Sequence, residues 1–510
     1  MDNRHFETVI IGTGFSGLLT AILLKKRGIT DFVLLERSAE LGGTWRDNSY
    51  PGAEVDIPTG LYSISFIPYE FKKKYATQAE LLEYTRYVAN KFSLPEHTRL
   101  GQAVRSLDYD EQACLWHVNV ASGERYTARF VVDTTGVLAN PNVPHIEGAQ
   151  EFRGVQFHTA RWNHDVPYKG KRVGIIGSGC SAAQVIPAIA GDVERLTVFM
   201  GRPQWVIPRS DRHYSAVERF LMTLPGIRHI NRLLIFGIHE VRFIAFRRYP
   251  FTVKLSNAIK KLYASNLRKN LEAYIADEKL RRHMMPDYEL GCRRVIPTNT
   301  YLPALSRENV DVDISGIEKI TPTEIRTKDG KDVPLDIIVY ATGFYAYSDM
   351  KKALTFEVNG IGGRNLNREW EQKTGSYKGI VVSGYPNYFK INGPNTGSGH
   401  SSQLSYMQAM AGYTVKAICR VRKSKDFRAI DVKEDVQDRY VARMKKRLKS
   451  TVWQTGGCTA FYRKNMTGEV TSLSPESVIG FILSRKRFRL KDYRLLGGVG
   501  TVKANGIAAE

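Results

Sequence analysis

Short runs of β-branched and apolar residues alternate along this chain with apolar segments of helical length. Thr8–Ile11 leads through a glycine-rich turn into the helical stretch Leu18–Leu24, and Phe32–Leu35 follows as a second strand. Arg172–Ile176 begins the same order of elements again. Because strands that alternate with helices form parallel sheets with helices on their faces, the pattern predicts an α/β fold with two such units. A length of 510 residues favours two or three domains.

The first glycine-rich turn reads Gly12-Thr13-Gly14-Phe15-Ser16-Gly17, and Glu36 follows the strand after the helix. Glycines at these positions allow a tight turn and let backbone N–H groups approach a pyrophosphate at the start of a helix. The carboxylate is placed to bond to an adenosine ribose. This pattern predicts a Rossmann-like dinucleotide-binding domain. Its predicted contacts are Gly12, Gly14, Phe15, Ser16, Gly17 and Glu36.

The second glycine-rich turn begins at Gly177 and differs from the first in charge. Gly12 and Glu36 are 24 positions apart, whereas the residue 24 positions after Gly177 is Gly201, followed by Arg202. A carboxylate repels a ribose 2′-phosphate, and an arginine binds one through charge-assisted hydrogen bonds. The first Rossmann-like domain is therefore predicted to bind FAD and the second NADPH. The predicted contacts of the second site are Gly177, Ser178, Gly179, Ser181, Ala182 and Arg202.

Residues 209–282 differ in composition, with 16 Lys and Arg against 6 Asp and Glu and few strand signals. We interpret 209–289 as a mostly helical insertion in the second domain. Basic residues interleaved with Phe, Tyr and Leu are typical of a helix on a membrane surface. They are also typical of a solvated helix that covers a core, which is the favoured interpretation. Peripheral membrane contact through the insertion stays open as the alternative.

The remaining patterns predict how the chain is divided. The first part of the FAD domain is predicted at 1–143 and the first part of the NADPH domain at 144–208. The chain then returns to the NADPH domain at 290–328 and to the FAD domain, with a C-terminal region, at 329–510.

Individual elements are also predicted. The Gly- and Pro-rich segment 42–56 predicts a loop, and Ser401 or Ser402 is expected to cap a helix that reaches about Arg422. Extended and loop structure is expected in the C-terminal part.

Overall charge and cysteine usage limit the class of protein. Lys and Arg number 74 against 51 Asp and Glu, a net charge of +23, but no pattern typical of a nucleic-acid-binding fold is found. Five scattered cysteines without a CxxC pair argue for a reducing compartment and against a disulfide or metal framework. Neither a signal peptide nor an apolar run of spanning length is expected. A cytoplasmic protein, or one attached to a membrane face, is predicted.

Two further motifs resemble signatures of a known family. Between the glycine-rich turns, Phe152, Gly154, His158 and Trp162 match F-x-G-x-x-x-H-x-x-x-W, with Asn163 where the family has Pro or Asp. The second signature, (A/G)-G-x-W-x4-(F/Y)-P-(G/M)-x3-D, is matched by Gly42, Gly43, Trp45, Tyr50, Pro51, Gly52 and Asp56. Over nearly its whole length the chain resembles the type I Baeyer–Villiger monooxygenases, which are class B flavoprotein monooxygenases.

The resemblance implies an enzyme that uses FAD, NADPH and O2 to insert one oxygen atom next to a ketone carbonyl, giving an ester or lactone through a C4a-peroxyflavin. Arg294 matches the family's catalytic arginine and Asp56 the carboxylate that orients it. Arg293 matches a residue that helps to bind the 2′-phosphate. A permanently charged, multidentate donor suits the stabilisation of negative charge on oxygen. Further cofactor contacts are expected at Gly43, Thr44, Trp45, Tyr50, Asp56, Thr342 and Gly343.

Several alternatives remain at this stage. An N- or S-oxygenating flavin monooxygenase usually carries Tyr or Phe in place of Trp162. A redox flavoprotein that does not oxygenate a substrate would keep the FAD site but could lose the NADPH site.

Single residues also have alternative roles. Cys180 is either a thiol of lowered pKa or, as we favour, a small residue in a turn. For His158 a structural role at the hinge between the domains is favoured over a general base. The apolar insertion indicates a small lipophilic ketone as substrate.

One departure from the family pattern concerns the C-terminal loop. The usual Ser-Trp-Tyr reads Ala460-Phe461-Tyr462 in this chain, which removes one indole N–H donor.

Overall fold

The computed structural model describes residues 4–247, 249–345, 354–458, 463 and 468–497. Its strands, β1 to β20 in chain order, are Arg4–Ile11, Phe32–Leu35, Thr98–Arg99, Val104–Asp110, Leu115–Val120, Arg125–Asp133, Val155–His158, Arg172–Ile176, Arg195–Phe199, Val206–Ile207, Ile296–Pro297, Val310–Asp313, Ile317–Ile320, Glu324–Thr327, Asp332–Pro334, Ile337–Tyr340, Glu357–Asn359, Tyr388–Lys390, Ala429–Val432 and Tyr493–Leu496. Its helices, α1 to α14, are Phe15–Lys25, Thr44–Asp47, Gln78–Lys91, Cys180–Ile189, Ala216–Thr223, Pro225–Ala245, Pro250–Tyr274, Glu278–Met284, Tyr301–Leu305, Leu366–Gln372, Gln403–Arg422, Glu434–Leu448, Val452–Thr455 and Val478–Lys486. The Ala460-Phe461-Tyr462 segment lies outside the described residues.

The first sheet is built around β1, which pairs in parallel with β2 and β6. Its strand order is β17-β4-β5-β6-β1-β2-β3, and β18 also pairs with β6. Val9 and Ile10 of β1 are completely buried, and α1 and α11 pack against each other over one face. A β-branched strand buried on both faces is what the continuous apolar run predicts for a parallel sheet. The first predicted unit is thus found.

The second sheet is entirely parallel, in the order β12-β9-β8-β16-β7. Its strand β16, Ile337–Tyr340, lies between β8 and β7, so these residues belong to the second sheet. The predicted return to the first domain at residue 329 is therefore placed too early. With this correction the α/β class and the two Rossmann-like units are confirmed.

Two local predictions are wrong, whereas the predicted helix that begins after Ser402 and reaches Arg422 is found. The segment 42–56 contains the short helix α2, and the C-terminal part contains the helices α12, α13 and α14 in addition to extended structure. Ser402 occupies the N-cap of α11 but makes no side-chain capping hydrogen bond. The helix α2 could not be predicted, because a single helical turn in a glycine-rich segment is too short to show a helical periodicity.

The insertion is helical as predicted, with α5 to α8 following one another between β10 and β11. It is attached to the first domain through Arg232 of α6, whose guanidinium donates to the carbonyl oxygens of Gly60 and Ser63, both at 3.1 Å. His239 and Phe243 on the same side of α6 are buried. Among the described residues, no helix combines the length and apolar character needed to cross a bilayer.

Candidate active site

The first glycine-rich turn joins β1 to α1 and leaves the start of the helix open. Gly12 adopts φ +101°, and a Cβ on Gly17 would lie 2.0 Å from the carbonyl oxygen of Gly12. Gly14 is the N-cap of α1 without a side-chain hydrogen bond, and the first turn of α1 holds no acidic residue. Backbone N–H groups at such a helix start attract anions. The turn, with Phe15 and Ser16 in its helical part, therefore fits the pyrophosphate of a dinucleotide.

Glu36 is buried next to this turn, immediately after β2. One carboxylate oxygen accepts the backbone N–H and the hydroxyl of Thr13 at 3.0 and 2.7 Å. The other accepts the Ser38 N–H and the Arg46 guanidinium, both at 3.1 Å. Protein donors thus already surround the carboxylate that was predicted to hold the ribose. A ribose hydroxyl that bonds to Glu36 has to replace one of them.

The second glycine-rich turn has the same geometry between β8 and α4. Gly177 adopts φ +130°, and a Cβ there would lie 2.4 Å from the carbonyl oxygen of Ala341. Gly179 is the N-cap of α4, again without a side-chain hydrogen bond. The Ser178 hydroxyl donates to the carbonyl oxygen of Arg202 at 2.7 Å, which holds the arginine backbone beside the turn. An anion-attracting helix start and a nearby cation fit a phosphorylated dinucleotide.

The segment that carries the second signature packs directly on α4. The Tyr50 hydroxyl donates to Gln184 Oε1 at 2.8 Å, and Gln184 Nε2 donates to the Glu54 carbonyl oxygen at 2.9 Å. Gly52 adopts φ +79°, and a Cβ there would lie 2.4 Å from the Gln184 carbonyl oxygen. Burial raises the pKa of Tyr50 to about 12, so its hydroxyl remains a donor at neutral pH. This contact joins the two dinucleotide-binding units.

Asp56, at the end of that segment, forms a two-pronged ion pair with Arg294. Arg294 Nε lies 2.5 Å from Asp56 Oδ2, and its terminal nitrogen lies 2.6 Å from Oδ1. Burial by itself would raise the pKa of Asp56, but the charge and hydrogen bonds of Arg294 outweigh it and lower that pKa. The charge of Asp56 in turn raises the pKa of Arg294. The structure thus brings together two residues that are 238 positions apart.

The ion pair is open to a cleft between the two units. Accessible fractions of the Arg294 and Asp56 side chains are 40% and 23%. A cavity of about 400 Å³ is lined by Asp56, by Cys180 and Gln184 of α4, and by residues 296–298 and 300. Asp56 thus lines the cavity, and the Arg294 guanidinium that it holds remains partly exposed.

Arg293 lies beside the pair and is oriented differently. Its guanidinium carbon is 5.5 Å from the centre of the Tyr288 ring, a distance at which a cation and an aromatic face attract each other.

His158 ends β7, which is an edge strand of the second sheet. Its Nδ1 accepts the Ala160 N–H at 3.0 Å, and its ring lies 5.5 Å from that of Phe344. Burial lowers its pKa to about 4. A buried, neutral imidazole that accepts from the backbone supports a structural role. Gly154 is required nearby, because a Cβ would lie 2.4 Å from the Asp336 carbonyl oxygen.

Trp162 is buried in the core of the second unit, where its ring packs edge-on to Phe157 at 5.0 Å. Phe152 is also buried, in a smaller cluster behind the sheet. The residues around Trp162 contact the first unit. Arg161 lies 3.5 Å from Asp47, and His164 Nε2 lies 2.7 Å from the Ser49 hydroxyl. The signature is thus a strand and turn at the boundary between the units.

Other predicted cofactor contacts lie at the same boundary. A Cβ on Gly43 would lie 2.8 Å from Gly14 Cα, so α2, with Thr44 and Trp45, begins against the first glycine-rich turn. Trp45 Nε1 donates to the Tyr62 hydroxyl at 3.2 Å. The remaining predicted contacts follow strand ends, namely Ser181 and Ala182 in α4 and Thr342 and Gly343 after β16. The Thr342 hydroxyl donates to the Asn142 carbonyl oxygen at 2.5 Å.

The cysteines differ from the sequence-based expectation. Cys292 and Cys458 form a disulfide, which the absence of a paired motif argued against. Cys114, Cys180 and Cys419 are free. Burial raises the pKa of Cys180 to about 11, which argues against an activated thiol and for the favoured interpretation of a small residue in a turn.

Gln184 and the disulfide are the site features that sequence reasoning missed. Gln184 is a polar residue in an otherwise apolar stretch of α4, and that position was a usable signal. The disulfide left no signal, because its cysteines are 166 positions apart.

Comparison with known proteins reveals relatives over the whole chain. Residues 9–260 match the family described as pyridine nucleotide-disulphide oxidoreductase. A Baeyer-Villiger monooxygenase of Streptomyces coelicolor is 37% identical over 97% of this chain and 93% of its own length. One of Pseudomonas aeruginosa is 35% identical over 96% of this chain and 92% of its own. The crystal structure of cyclohexanone monooxygenase from Rhodococcus sp. Phi1 bound to NADP+ has a TM-score of 0.82 and 27% identity, covering 95% of this chain and 97% of that chain.

Proposed function

Because the chain belongs to the Baeyer–Villiger monooxygenase family, we propose that its Asp56–Arg294 pair carries the oxygenation step of an FAD- and NADPH-dependent conversion of ketones to esters or lactones. The observation that carries this assignment is the two-pronged ion pair at the cleft between the two dinucleotide-binding units. Amine and thioether oxygenation is the rival activity. Enzymes with that activity usually carry Tyr or Phe at the end of the first signature, whereas this chain has Trp162 there.

FAD is assigned to the first unit and NADPH to the second. The open start of α1, and the lack of room for a Cβ between Gly43 and Gly14, support a pyrophosphate in the first unit. In the second, Arg202 beside the turn and Arg293 near the ion pair offer positive charge to a 2′-phosphate. When bound, these cofactors supply the electrons and the activation of O2.

Arg294 is assigned the role of stabilising negative charge on oxygen while the carbon skeleton rearranges. Its guanidinium stays protonated, since Asp56 raises its pKa further. Asp56 uses two acceptor atoms to fix the plane of the guanidinium, and the terminal nitrogen that does not bond to Asp56 keeps its donors for the reacting oxygen. A charge that is oriented before the reaction costs no reorganisation during it. Asp56 is thus a positioning residue for Arg294.

A lipophilic ketone is proposed as substrate. The walls of the cleft combine apolar residues such as Ala183, Pro187 and Ile296 with polar residues such as Glu54 and Arg209. The apolar part of this lining can pack against a hydrocarbon skeleton, and the polar part can bond to a carbonyl oxygen.

The test uses the purified enzyme with NADPH, isotopically labelled O2 and a panel of cyclic, aromatic and linear ketones. Incorporation of one labelled oxygen into an ester or lactone is expected. Arg294→Ala should keep NADPH-driven flavin reduction and lose ester formation, with the reducing equivalents appearing as hydrogen peroxide. Ester formation by this variant at nearly the wild-type rate would remove Arg294 from its role. Labelled amine or thioether oxides in place of esters would contradict the oxygenation of ketones.

A further inference from the structure

The surface of the helical insertion carries an apolar face that no part of the described chain covers. Seven large aliphatic residues of α6 are each between 36% and 67% exposed. They are Ile227, Ile230, Leu233, Leu234, Ile238, Val241 and Ile244. An apolar stripe of this kind normally faces a protein core. On α6 the opposite side, with Arg232, His239 and Phe243, already provides that contact.

The seven residues form one continuous strip. At 3.6 residues per turn they fall within an arc of about 140° around the helix axis, and the sequence places no charged residue in this arc. Glu240 and exposed His229 follow the arc on one side, and Asn231 and exposed Arg242 follow it on the other. An uncharged arc between polar flanks is the pattern of a helix that lies flat at a boundary between water and an apolar phase.

Neighbouring helices extend the same surface. Val217 and Phe220 of α5 are 67% and 64% exposed, directly before α6 begins. Helix α14 starts on α6, because Glu240 accepts the backbone N–H of Val478 at 2.7 Å. The next residue of α14, Ile479, is also exposed. An exposed apolar patch that spans three helices exceeds what scattered surface residues produce.

We infer that this α5–α6 face docks on the surface of an anionic lipid bilayer, with the aliphatic residues inserted among the acyl chains near the headgroups. Charge complementarity selects this occupant. The segment 209–282 holds 16 Lys and Arg against 6 Asp and Glu, and the chain has a net charge of +23. These charges attract anionic headgroups and repel a second copy of the same chain. The attachment is peripheral, and it does not depend on the identity of the substrate.

The experiment is co-sedimentation of the FAD-loaded enzyme with lipid vesicles. Phosphatidylglycerol–phosphatidylcholine vesicles should bind the wild type, and phosphatidylcholine vesicles should bind it more weakly. Added salt should weaken binding to the anionic vesicles. The variant Leu233→Ser/Leu234→Ser/Val241→Ser should need about tenfold more lipid, or more, for half-maximal binding, because three buried side chains are lost from the bilayer.

A matched control removes exposed apolar residues elsewhere. Leu100→Ser/Leu495→Ser should bind vesicles like the wild type, since both leucines are exposed outside the helical insertion. A wild type that stays in the supernatant with both kinds of vesicle overturns the inference. Binding that is unchanged in the triple variant also overturns it, because general positive charge then suffices. A third contrary result combines two observations. Analytical ultracentrifugation shows that the wild type is an oligomer and the triple variant a monomer, and neither protein binds vesicles.

Discussion

At the scale of single residues, the Asp56–Arg294 ion pair combines opposite charges with two hydrogen bonds that fix its geometry. Burial raises the pKa of Asp56, but the charge and hydrogen bonds of Arg294, with smaller contributions from other groups, outweigh it and lower that pKa. A lowered carboxyl pKa means that the ion pair is complete above the ordinary carboxyl range and is lost only as pH falls through the lowered value. Protonation of Asp56 is therefore not expected to limit activity at or above the ordinary carboxyl pKa.

Asp56→Asn keeps the size of the side chain and removes its charge. We expect ester formation to fall about tenfold to hundredfold, because Arg294 loses its fixed orientation. Flavin reduction by NADPH should change little, and hydrogen peroxide should rise. Asp332→Asn is the matched control, since Asp332 forms a similar two-pronged pair with Arg326 at 2.7 and 2.9 Å in a surface hairpin. Equal losses of ester formation in both variants would contradict the positioning role.

His158 gives a second prediction through its pKa of about 4. The ordinary value is 6.5, so the unfolded chain takes up a proton before the folded enzyme does. Stability is therefore lost as pH falls from 6.5 toward 4, by up to roughly 3 kcal/mol. In His158→Asn, the amide oxygen can still accept from Ala160, and the titration disappears. The melting temperature of the wild type should thus fall more steeply with pH than that of the variant, and parallel curves would rule this out.

At the scale of elements, the docking of segment 50–56 on α4 positions Asp56. Gly52→Ala adds a Cβ only 2.4 Å from the Gln184 carbonyl oxygen, so the segment has to move. Gly101→Ala is the control, because Gly101 has a similar φ of +72° with nothing within 4 Å of the added Cβ. In both variants an alanine has to adopt a positive φ, which strains the backbone. The free energy of unfolding should fall by about 1–3 kcal/mol more in Gly52→Ala than in Gly101→Ala. Equal losses in thermal or urea unfolding would show that the contact with α4 is not tight.

Local patterns predicted the elements far better than their arrangement. Both glycine-rich turns were readable because each follows a β-branched strand and requires a positive φ at its first glycine. The position of β16 between β8 and β7 could not be predicted, because strand order in a parallel sheet depends on packing rather than on local sequence. For the same reason Arg294 could be assigned only by resemblance. Its partner is 238 positions away, and no local periodicity connects them.

At the scale of the whole molecule, the Cys292–Cys458 disulfide ties distant parts of the chain together at the site. Cys292 immediately precedes Arg293 and Arg294, and both sulfurs are buried in the core of the second unit. Closing a loop across 166 positions restricts the unfolded chain, which corresponds to about 5 kcal/mol in the chain-entropy description. The disulfide is therefore expected to contribute both to stability and to the position of the arginines.

Thiol counting tests this directly. In denaturant without reductant, three of the five cysteines should react, namely Cys114, Cys180 and Cys419, and all five should react after reduction. Cys458→Ser should melt at a lower temperature and form less ester for each NADPH oxidised, because the segment before Arg294 loses its covalent anchor. Cys419→Ser, which removes a free cysteine, should leave both properties unchanged. Five reactive thiols before reduction would mean that the bond does not form, and the position of Arg294 would then depend on Asp56 and core packing alone.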